Sequence, residues 1–101
     1  MSQPLSIQTG LADGAQSITV GGTAQNLYGG LIPVNGFAVY NVDVANDLWI
    51  SLYGTAAPNA SGSIRVAANG GAYESPLWLK PSQAISIYGS TTGQQFTAVR
   101  A

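Results

Sequence analysis

The sequence predicts an all-β fold, a seven- or eight-stranded antiparallel β-sandwich or jelly roll that spans residues 15–101 as one domain. Short apolar segments alternate with the period of two that a pleated strand imposes, and none keeps the 3.6-residue period of a helix over a helix's length. Thirteen glycines and five prolines interrupt the chain, about every eight to twelve residues, as turns between short strands do. A polar segment with two glycines, residues 1–14, is predicted to form a short N-terminal arm.

The length of 101 residues suits one domain that buries roughly two thirds of its unfolded surface. The chain contains no cysteine and no histidine. Packing must therefore hold the fold without disulfides. The sequence also excludes Cys/His zinc sites, thiol nucleophiles and histidine acid–base chemistry.

The first strand is predicted over residues 16–20, where Ile18 alternates with polar neighbours and two glycines end the segment. Residues 23–28 resume the pattern. They are either a continuation of that strand bent at a glycine bulge or a separate edge strand. An apolar segment, residues 31–34, then leads to an Asn-Gly turn.

Residues 37–53 contain the two most periodic segments of the chain, and the other strands are placed against them. In the second of these segments the aliphatic residues are predicted inward, and the aromatic and hydroxyl residues outward. The inward set is Leu48, Ile50 and Leu52, and the outward set is Trp49, Ser51 and Tyr53.

The first segment of this pair allows two registers. Phe37 and Val39 face inward in the favoured register, and Ala38, Tyr40 and Val42 face inward in the other. Residues 43–47 are rich in Asp and Asn, which tolerate turn conformations and hydrogen-bond their own backbone. The two segments are therefore predicted to form a hairpin.

The later strands are separated by loops. Residues 54–62 are small and polar and form the longest predicted connection, and Pro76 places residues 72–79 at a sheet edge or splits them. Ile64 and Val66 are predicted inward on one strand and Ile85 and Ile87 on the next, and Phe96 and Ala98 share one face of the last strand.

Only seven residues are charged, three basic and four acidic, so the surface is predicted to be nearly neutral. Such a chain offers no basic patch for nucleic acid or for an anionic membrane. No apolar run approaches the ~18 residues of a membrane span. The first residues lack the basic and apolar regions of a secretory signal, so we expect synthesis in the cytoplasm without signal-directed export.

No group of residues predicts catalysis. Asp43 and Asp47 share one turn, where hydrogen bonding to nearby backbone amides is favoured over calcium binding because their spacing differs from that of a calcium loop. Ser82 lies near Lys80 in a turn, not in the buried pair that a serine nucleophile without histidine needs. We therefore expect no enzymatic activity, no catalytic residue, no metal and no cofactor.

Aromatic residues are the remaining candidates for recognition, because they are numerous in a chain so poor in charge. If exposed, they form a patch for a protein or a sugar; if packed, they belong to the core of a second layer, and the sequence leaves both interpretations open. The candidate interface residues are Tyr28, Tyr40, Trp49, Tyr53 and Trp78.

Six segments occur in a fixed order along the chain: TAQNLYG, FAVYNV, NDLWISLYGTAA, GSIRVAANGGAYES, AISIYG and TTGQQFTAVRA. Their order resembles that of small accessory proteins encoded among the structural genes of tailed bacteriophages. The resemblance covers residues 18–101 and leaves out the N-terminal arm.

The resemblance implies a β-sandwich of the virion, a decoration or cement protein that binds the major capsid protein on the outside of the capsid and stabilises the shell. A tail, baseplate or head-fibre component is one alternative, and a carbohydrate-binding module that uses exposed aromatic residues is another. Outward aromatic residues and low charge favour a symmetric homo-oligomer, and analogy with shell decorations favours a trimer.

Overall fold

The computed structural model describes residues 14–76 and 79–100. Residues 1–13 of the predicted arm lie outside the described residues, and Gly14, the last residue of that arm, begins the first strand. The described part of the chain forms eight β-strands and one 3₁₀ helix. In chain order these are β1 (Gly14–Ser17), β2 (Gln25–Asn26), the 3₁₀ helix (Leu27–Gly30), β3 (Phe37–Asn41), β4 (Leu48–Ser51), β5 (Ser63–Val66), β6 (Ala72–Glu74), β7 (Ser86–Gly89) and β8 (Gln95–Arg100).

The strands form two antiparallel sheets of four strands each. Sheet A has the order β1-β8-β3-β6, and sheet B has the order β2-β7-β4-β5. The first strand thus pairs with the eighth, the second with the seventh, the third with the sixth and the fourth with the fifth. The predicted all-β, antiparallel fold is confirmed.

The predicted hairpin between β3 and β4 is wrong. β3 pairs with β6 and β8 in sheet A, whereas β4 pairs with β5 and β7 in sheet B. Residues 42–47 therefore cross from one sheet to the other instead of joining neighbouring strands. Turn-forming residues specify a local change of direction but not the partner of each strand, which long-range packing selects.

Most of the buried apolar residues of the described chain form one hydrophobic cluster that contains side chains from both sheets. Its members are Ile18, Leu27, Tyr28, Phe37, Val39, Leu48, Ile50, Val66, Ile85, Ile87, Phe96 and Ala98. The favoured register with Phe37 and Val39 inward is confirmed, since these side chains are 5% and 0% exposed. Leu52 and Ile64, also predicted inward, are partly buried and pack against the cluster.

Two edge strands follow the expectations from glycine and proline. β2 lies at the edge of sheet B beside β7, so residues 23–28 contain a separate edge strand and not a bent continuation of the first. β6 lies at the edge of sheet A and ends before Pro76, as predicted.

β1 ends earlier than the predicted strand over residues 16–20. The Ile18 N–H still donates to the Gln94 carbonyl (2.8 Å), but the Ile18 carbonyl accepts from Gly93 (2.8 Å). The Gln94 N–H instead donates to the Thr91 carbonyl (3.1 Å), so the ladder is not continued beyond Ser17. Ile18 is nevertheless buried, 1% exposed, as its apolar character predicts.

The antiparallel strands place their connections at two ends of the molecule. The crossover end consists of residues 18–24, 42–47, 67–71 and 90–94, and the loop end consists of residues 27–36, 52–62 and 75–85. At the crossover end the connections contact one another directly, and the Asn69 N–H donates to the Asp43 carbonyl (2.8 Å).

Buried amide side chains fix the connection between β3 and β4, residues 42–47, at the crossover end. Asn41, 1% exposed, donates through Nδ2 to the carbonyl oxygens of Asn46 (2.8 Å) and Val66 (3.1 Å). Gln94, 2% exposed, donates through Nε2 to the carbonyl oxygens of Asn46 and Asp47, both at 3.0 Å. Because buried carbonyl groups need hydrogen-bond donors, these two amides hold residues 42–47 between the sheets.

Candidate interaction surface

Three of the seven exposed large apolar residues of the described chain lie in one short segment of the loop end. Leu31, Ile32 and Val34 are 56%, 42% and 64% exposed. These residues lie in the apolar loop, residues 31–34, which joins the 3₁₀ helix to β3. Single exposed apolar residues are ordinary, but three of them within four positions mark a candidate contact surface.

A left-handed turn fixes the start of the apolar loop. Tyr28, Gly29 and Gly30 all have positive φ angles, of 57°, 61° and 91°, a conformation that is unfavourable for a bulky residue such as Tyr28. The Leu31 N–H donates to the Tyr28 carbonyl across this turn (3.1 Å). The backbone therefore enters the apolar loop in a defined direction.

Contacts of the Tyr28 side chain hold this conformation in place. The side chain is 3% exposed, and its hydroxyl donates to the Val99 carbonyl at 2.7 Å. Its ring meets Phe37 edge to face with centroids 6.4 Å apart, and the Arg100 guanidinium carbon lies 5.9 Å from the Tyr28 centroid. Aromatic and cation–π contacts of this kind stabilise the ring position, so packing compensates for the unfavourable backbone angle.

The far side of the apolar loop is fixed by hydrogen bonds. Lys80 Nζ donates to the Val34 carbonyl (3.1 Å), and the Phe37 N–H donates to Ser75 Oγ (2.8 Å). Pro33 is buried between exposed neighbours. The loop thus exposes apolar side chains from a backbone held on both sides, and such pre-organisation lowers the entropic cost of binding.

The predicted interface residues do not form one surface. Tyr28 lies in the core, so its ring is not available on the outside. Tyr40 is half-buried on the outer face of sheet A, where its hydroxyl donates to Glu74 Oε2 at 2.7 Å. The bond to this carboxylate, followed by desolvation, raises the pKa of Tyr40 above its ordinary value.

Two further candidates lie on sheet B or beside it. Trp49 is half-buried on the outer face of β4, opposite Arg65 on β5 and Tyr88 on β7. Tyr53 follows β4 and is 71% exposed. Trp78 lies outside the described residues.

Sequence reasoning missed the apolar loop because its residues were interpreted only as the approach to a turn. The available signal was an apolar segment, residues 31–34, that contains a proline and directly follows two glycines. Proline disfavours a central strand at that position. An apolar segment that cannot be a core strand is a candidate for exposure at a binding surface.

A row of serines on the outer face of sheet B is covered by the chain itself. Ser51 and Ser86 point outward as the strand pattern predicts, yet they are 3% and 8% exposed. The cause is the connection after β4. Its Gly54 N–H donates to Ser51 Oγ (3.1 Å), and its Ala56 N–H donates to Ser86 Oγ (2.9 Å). The hydroxyls of Ser51 and Ser86 are therefore used within the fold.

The acidic residues at the crossover end have structural partners. Asp43 Oδ1 accepts from the N–H groups of Ala45 (2.8 Å) and Asn46 (2.9 Å), which lowers the Asp43 pKa. The predicted local hydrogen bonding is thus confirmed for Asp43.

Asp47 bonds to partners that are distant in sequence, so the prediction of local bonding is wrong for this residue. Its Oδ2 accepts from Arg65 Nε (2.8 Å) and its Oδ1 from the Ala68 N–H (2.8 Å), and these bonds lower its pKa. Within residues 14–76 and 79–100 no group of three or more His, Cys, Asp or Glu side chains is placed to hold a metal ion.

The described chain contains no helix with the length and apolar character that crossing a membrane requires. Comparison of the sequence and structure with family models, curated proteins and solved structures found no match.

Proposed function

We propose that the two sheets form a jelly-roll β-sandwich. A jelly roll is an eight-stranded double-sheet fold. When one long antiparallel ribbon is wound into such a fold, the first strand pairs with the last, the second with the second-last, and so on to the two middle strands. The pairing of β1 with β8, β2 with β7, β3 with β6 and β4 with β5 follows that rule. The single core cluster with side chains from both sheets also supports this arrangement.

We propose that this protein is a structural virion protein of a tailed bacteriophage that decorates the outside of the capsid and stabilises the shell. Its partner is the major capsid protein, and its location is the virion surface after synthesis in the host cytoplasm. The observation that carries this proposal is the rigid, uncharged apolar loop with Leu31 and Val34 exposed. The resemblance of the segment order to virion accessory proteins supports the same role.

The physical requirements of shell binding fit a chain with few charges. A protein present in many copies on a symmetric shell can use a modest contact in each copy, because the contact is repeated over the whole surface. A small apolar surface on a fixed loop supplies such a contact. The role requires no catalytic residue, cofactor, nucleic acid or membrane.

We further propose a homo-oligomer, with a trimer preferred because shells present threefold axes. The exposed apolar loop and Tyr53 offer surface that a second copy could cover. Light scattering of the purified protein at tens of micromolar concentration, with capsid absent, is expected to give an assembled mass. A monomer under these conditions would contradict self-association away from the shell.

Rebinding to capsids stripped of accessory proteins tests the proposed role. We expect stoichiometric, saturable binding of the purified protein. The double variant Leu31→Ser and Val34→Ser should bind at least about tenfold more weakly, as expected when an apolar contact worth about 1.4 kcal/mol is lost.

Val44→Ser is the matched control, because Val44 is 77% exposed but lies at the crossover end. This variant should bind as the unchanged protein does. Equal losses in both variants would show that general surface hydrophobicity and not the apolar loop drives binding. Absence of saturable binding by the unchanged protein would reject the decoration role.

A further inference from the structure

A cavity of about 530 Å³ lies at the loop end, outside the apolar loop. It opens to solvent beside the edge strand β2 and is bordered by the connections that follow β4 and precede β7. Its lining residues are Ala24, Gln25, Asn26, Gly54, Thr55, Gln83, Ala84 and Ser86. Its volume falls within the ~300–1,000 Å³ of small-molecule pockets.

Three exposed polar side chains come to this cavity from three separate segments. Asn26 lies on β2, Thr55 on the connection after β4, and Gln83 on the connection before β7. Asn26 makes no side-chain capping bond to the 3₁₀ helix that follows it. Side-chain amides carry both donors and acceptors, and a hydroxyl can act as either. The three groups can therefore hydrogen-bond to a ligand that also carries both donors and acceptors.

The backbone of Asn26 adds a fourth polar group. The Leu27 N–H donates to the Ile85 carbonyl (2.7 Å), so the next pair along the ladder, Asn26 with Ser86, is at a non-hydrogen-bonded position. The N–H of Asn26 is therefore directed away from β7, toward the free edge of sheet B, while its carbonyl belongs to the N-cap of the 3₁₀ helix. The cavity is adjacent to that edge.

The polar groups are held on a fixed backbone. Thr55 lies between two residues whose N–H groups are bonded to serines of sheet B, Gly54 to Ser51 Oγ and Ala56 to Ser86 Oγ. The carbonyl of Ile85, two residues after Gln83, accepts from the N–H of Leu27, the residue that follows β2. A site built from such restrained segments loses little entropy on binding a ligand.

The lining contains no charged residue. A charged ligand would lose hydration there without gaining an opposite charge, which disfavours it. Ala24, Gly54 and Ala84 leave room and offer small apolar contacts for C–H groups. The chemistry favours a neutral ligand that carries many hydroxyl groups together with C–H surface.

We propose that this cavity binds a neutral saccharide through Asn26, Thr55 and Gln83. An extended peptide is a less favourable ligand, because β2 has two residues and a left-handed turn at Tyr28 follows. Only Asn26 then directs a backbone N–H to the free edge, and strand addition depends on a longer row of free backbone groups.

Titration followed by backbone amide NMR shifts tests this site in the full chain. The neutral probes are maltotriose, cellotriose and N,N′-diacetylchitobiose, with sialyllactose as a charged comparison and the peptide Gly-Asn-Gln-Asn-Gly as a peptide comparison. We expect saturable shifts with at least one neutral probe, centred on Asn26, Thr55 and Gln83. Asn26→Ala and Gln83→Ala should each weaken that binding about tenfold, as loss of a hydrogen-bonding side chain does.

Gln95→Ala is the matched control, because Gln95 is an exposed amide on β8 of sheet A, and its binding should equal that of the unchanged protein. The proposal is overturned if no neutral probe gives saturable shifts at these three residues up to tens of millimolar. It is also overturned if the peptide or sialyllactose binds there more tightly than every neutral probe, or if the control weakens binding as much as the site variants. These results are independent of capsid rebinding, so either proposal can fail alone.

Discussion

At the crossover end buried polar side chains join the connecting segments to one another, although Val42 and Val44 there are exposed, whereas at the loop end the apolar loop exposes three large apolar side chains within four positions. Asn41 and Gln94 are 1% and 2% exposed, while Leu31 and Val34 are 56% and 64% exposed. Both ends fix the backbone of their connections. The crossover end does so with side-chain amides, and the loop end with a left-handed turn and a lysine.

This difference indicates that a connection can be rigid without having its side chains buried. At the crossover end the Nδ2 group of Asn41, the Oδ1 atom of Asp43 and the Nε2 group of Gln94 make hydrogen bonds within the fold. In the apolar loop of the loop end the backbone is held, and the side chains of Leu31, Ile32 and Val34 remain outward. Recognition is therefore expected at the loop end, and structural stability should depend more on polar groups at the crossover end.

The largest effect is expected from a core residue that belongs to neither end. Ile50 is 0% exposed in the middle of β4, and Ile50→Ala should lower the free energy of unfolding by about 2–5 kcal/mol. Urea denaturation measures this value and sets the scale for changes at the two ends. An unchanged midpoint would show that β4 does not place Ile50 in the core.

A smaller loss is expected from a polar residue of the crossover end. Asn41→Ala removes the donor to the Val66 carbonyl and one of two donors to the Asn46 carbonyl, and an unsatisfied buried group costs roughly 1–3 kcal/mol. The matched variant at the loop end, Asn26→Ala, alters an exposed amide and should change stability by less than about 0.5 kcal/mol. Similar denaturation midpoints for the two variants would remove the proposed distinction between the ends.

Acid should weaken the crossover end selectively. The pKa values of Asp43 and Asp47 are lowered by hydrogen bonds in the folded state. Their contribution is therefore fully present above the ordinary carboxyl pKa of 3.8 and is lost as pH falls through the lower folded values. The connections of the loop end contain no acidic residue.

Urea denaturation at a series of pH values, from neutral to below the ordinary carboxyl pKa of 3.8, measures this loss of stability. Asp43→Asn removes one titrating group and should make the decline in stability with acid shallower than in the unchanged protein. An identical acid dependence in the two proteins would mean that Asp43 contributes nothing to the pH response.

The smallest effect is expected from salt on capsid rebinding. Exposed charge contacts are screened within roughly 10 Å at 0.1 M salt, whereas apolar contacts are not. The apolar loop contains no charged residue, so its affinity for stripped shells should change little between low and high sodium chloride. A steep loss of binding with added salt would point instead to attachment through Arg65, Lys80 or Arg100.

Local periodicity predicted the strands well, because the alternation of side chains within one strand is enough to assign each residue to the core face or the outer face. Leu48 and Ile50 are both 0% exposed, as their alternation indicates. The pairing of strands was not predictable in the same way. Residues 43–47 have the composition of a hairpin turn, but β3 and β4 each gain two other neighbours, and sequence alternation carries no information about that choice.

The candidate surface was less predictable than the strands. Aromatic content directed attention to Tyr28, which is a core residue held by its hydroxyl and ring contacts. Leu31 and Val34 have ordinary core composition, and only the three-dimensional arrangement places them outside. The outward serines of sheet B were assigned to the correct face, yet their burial depends on a connection that folds back over them.

The position of β8 in the interior of sheet A has a consequence for how the chain reaches its native state. This strand, residues 95–100, joins β1 on one side to β3 on the other. During synthesis β1 and β3 therefore remain without their shared neighbour until nearly all of the described chain has left the ribosome. Contacts between residues so distant in sequence slow folding, typically to milliseconds or seconds for all-β domains. Nascent chains that stop before β8 would expose the unpaired edges of both strands, which favours aggregation.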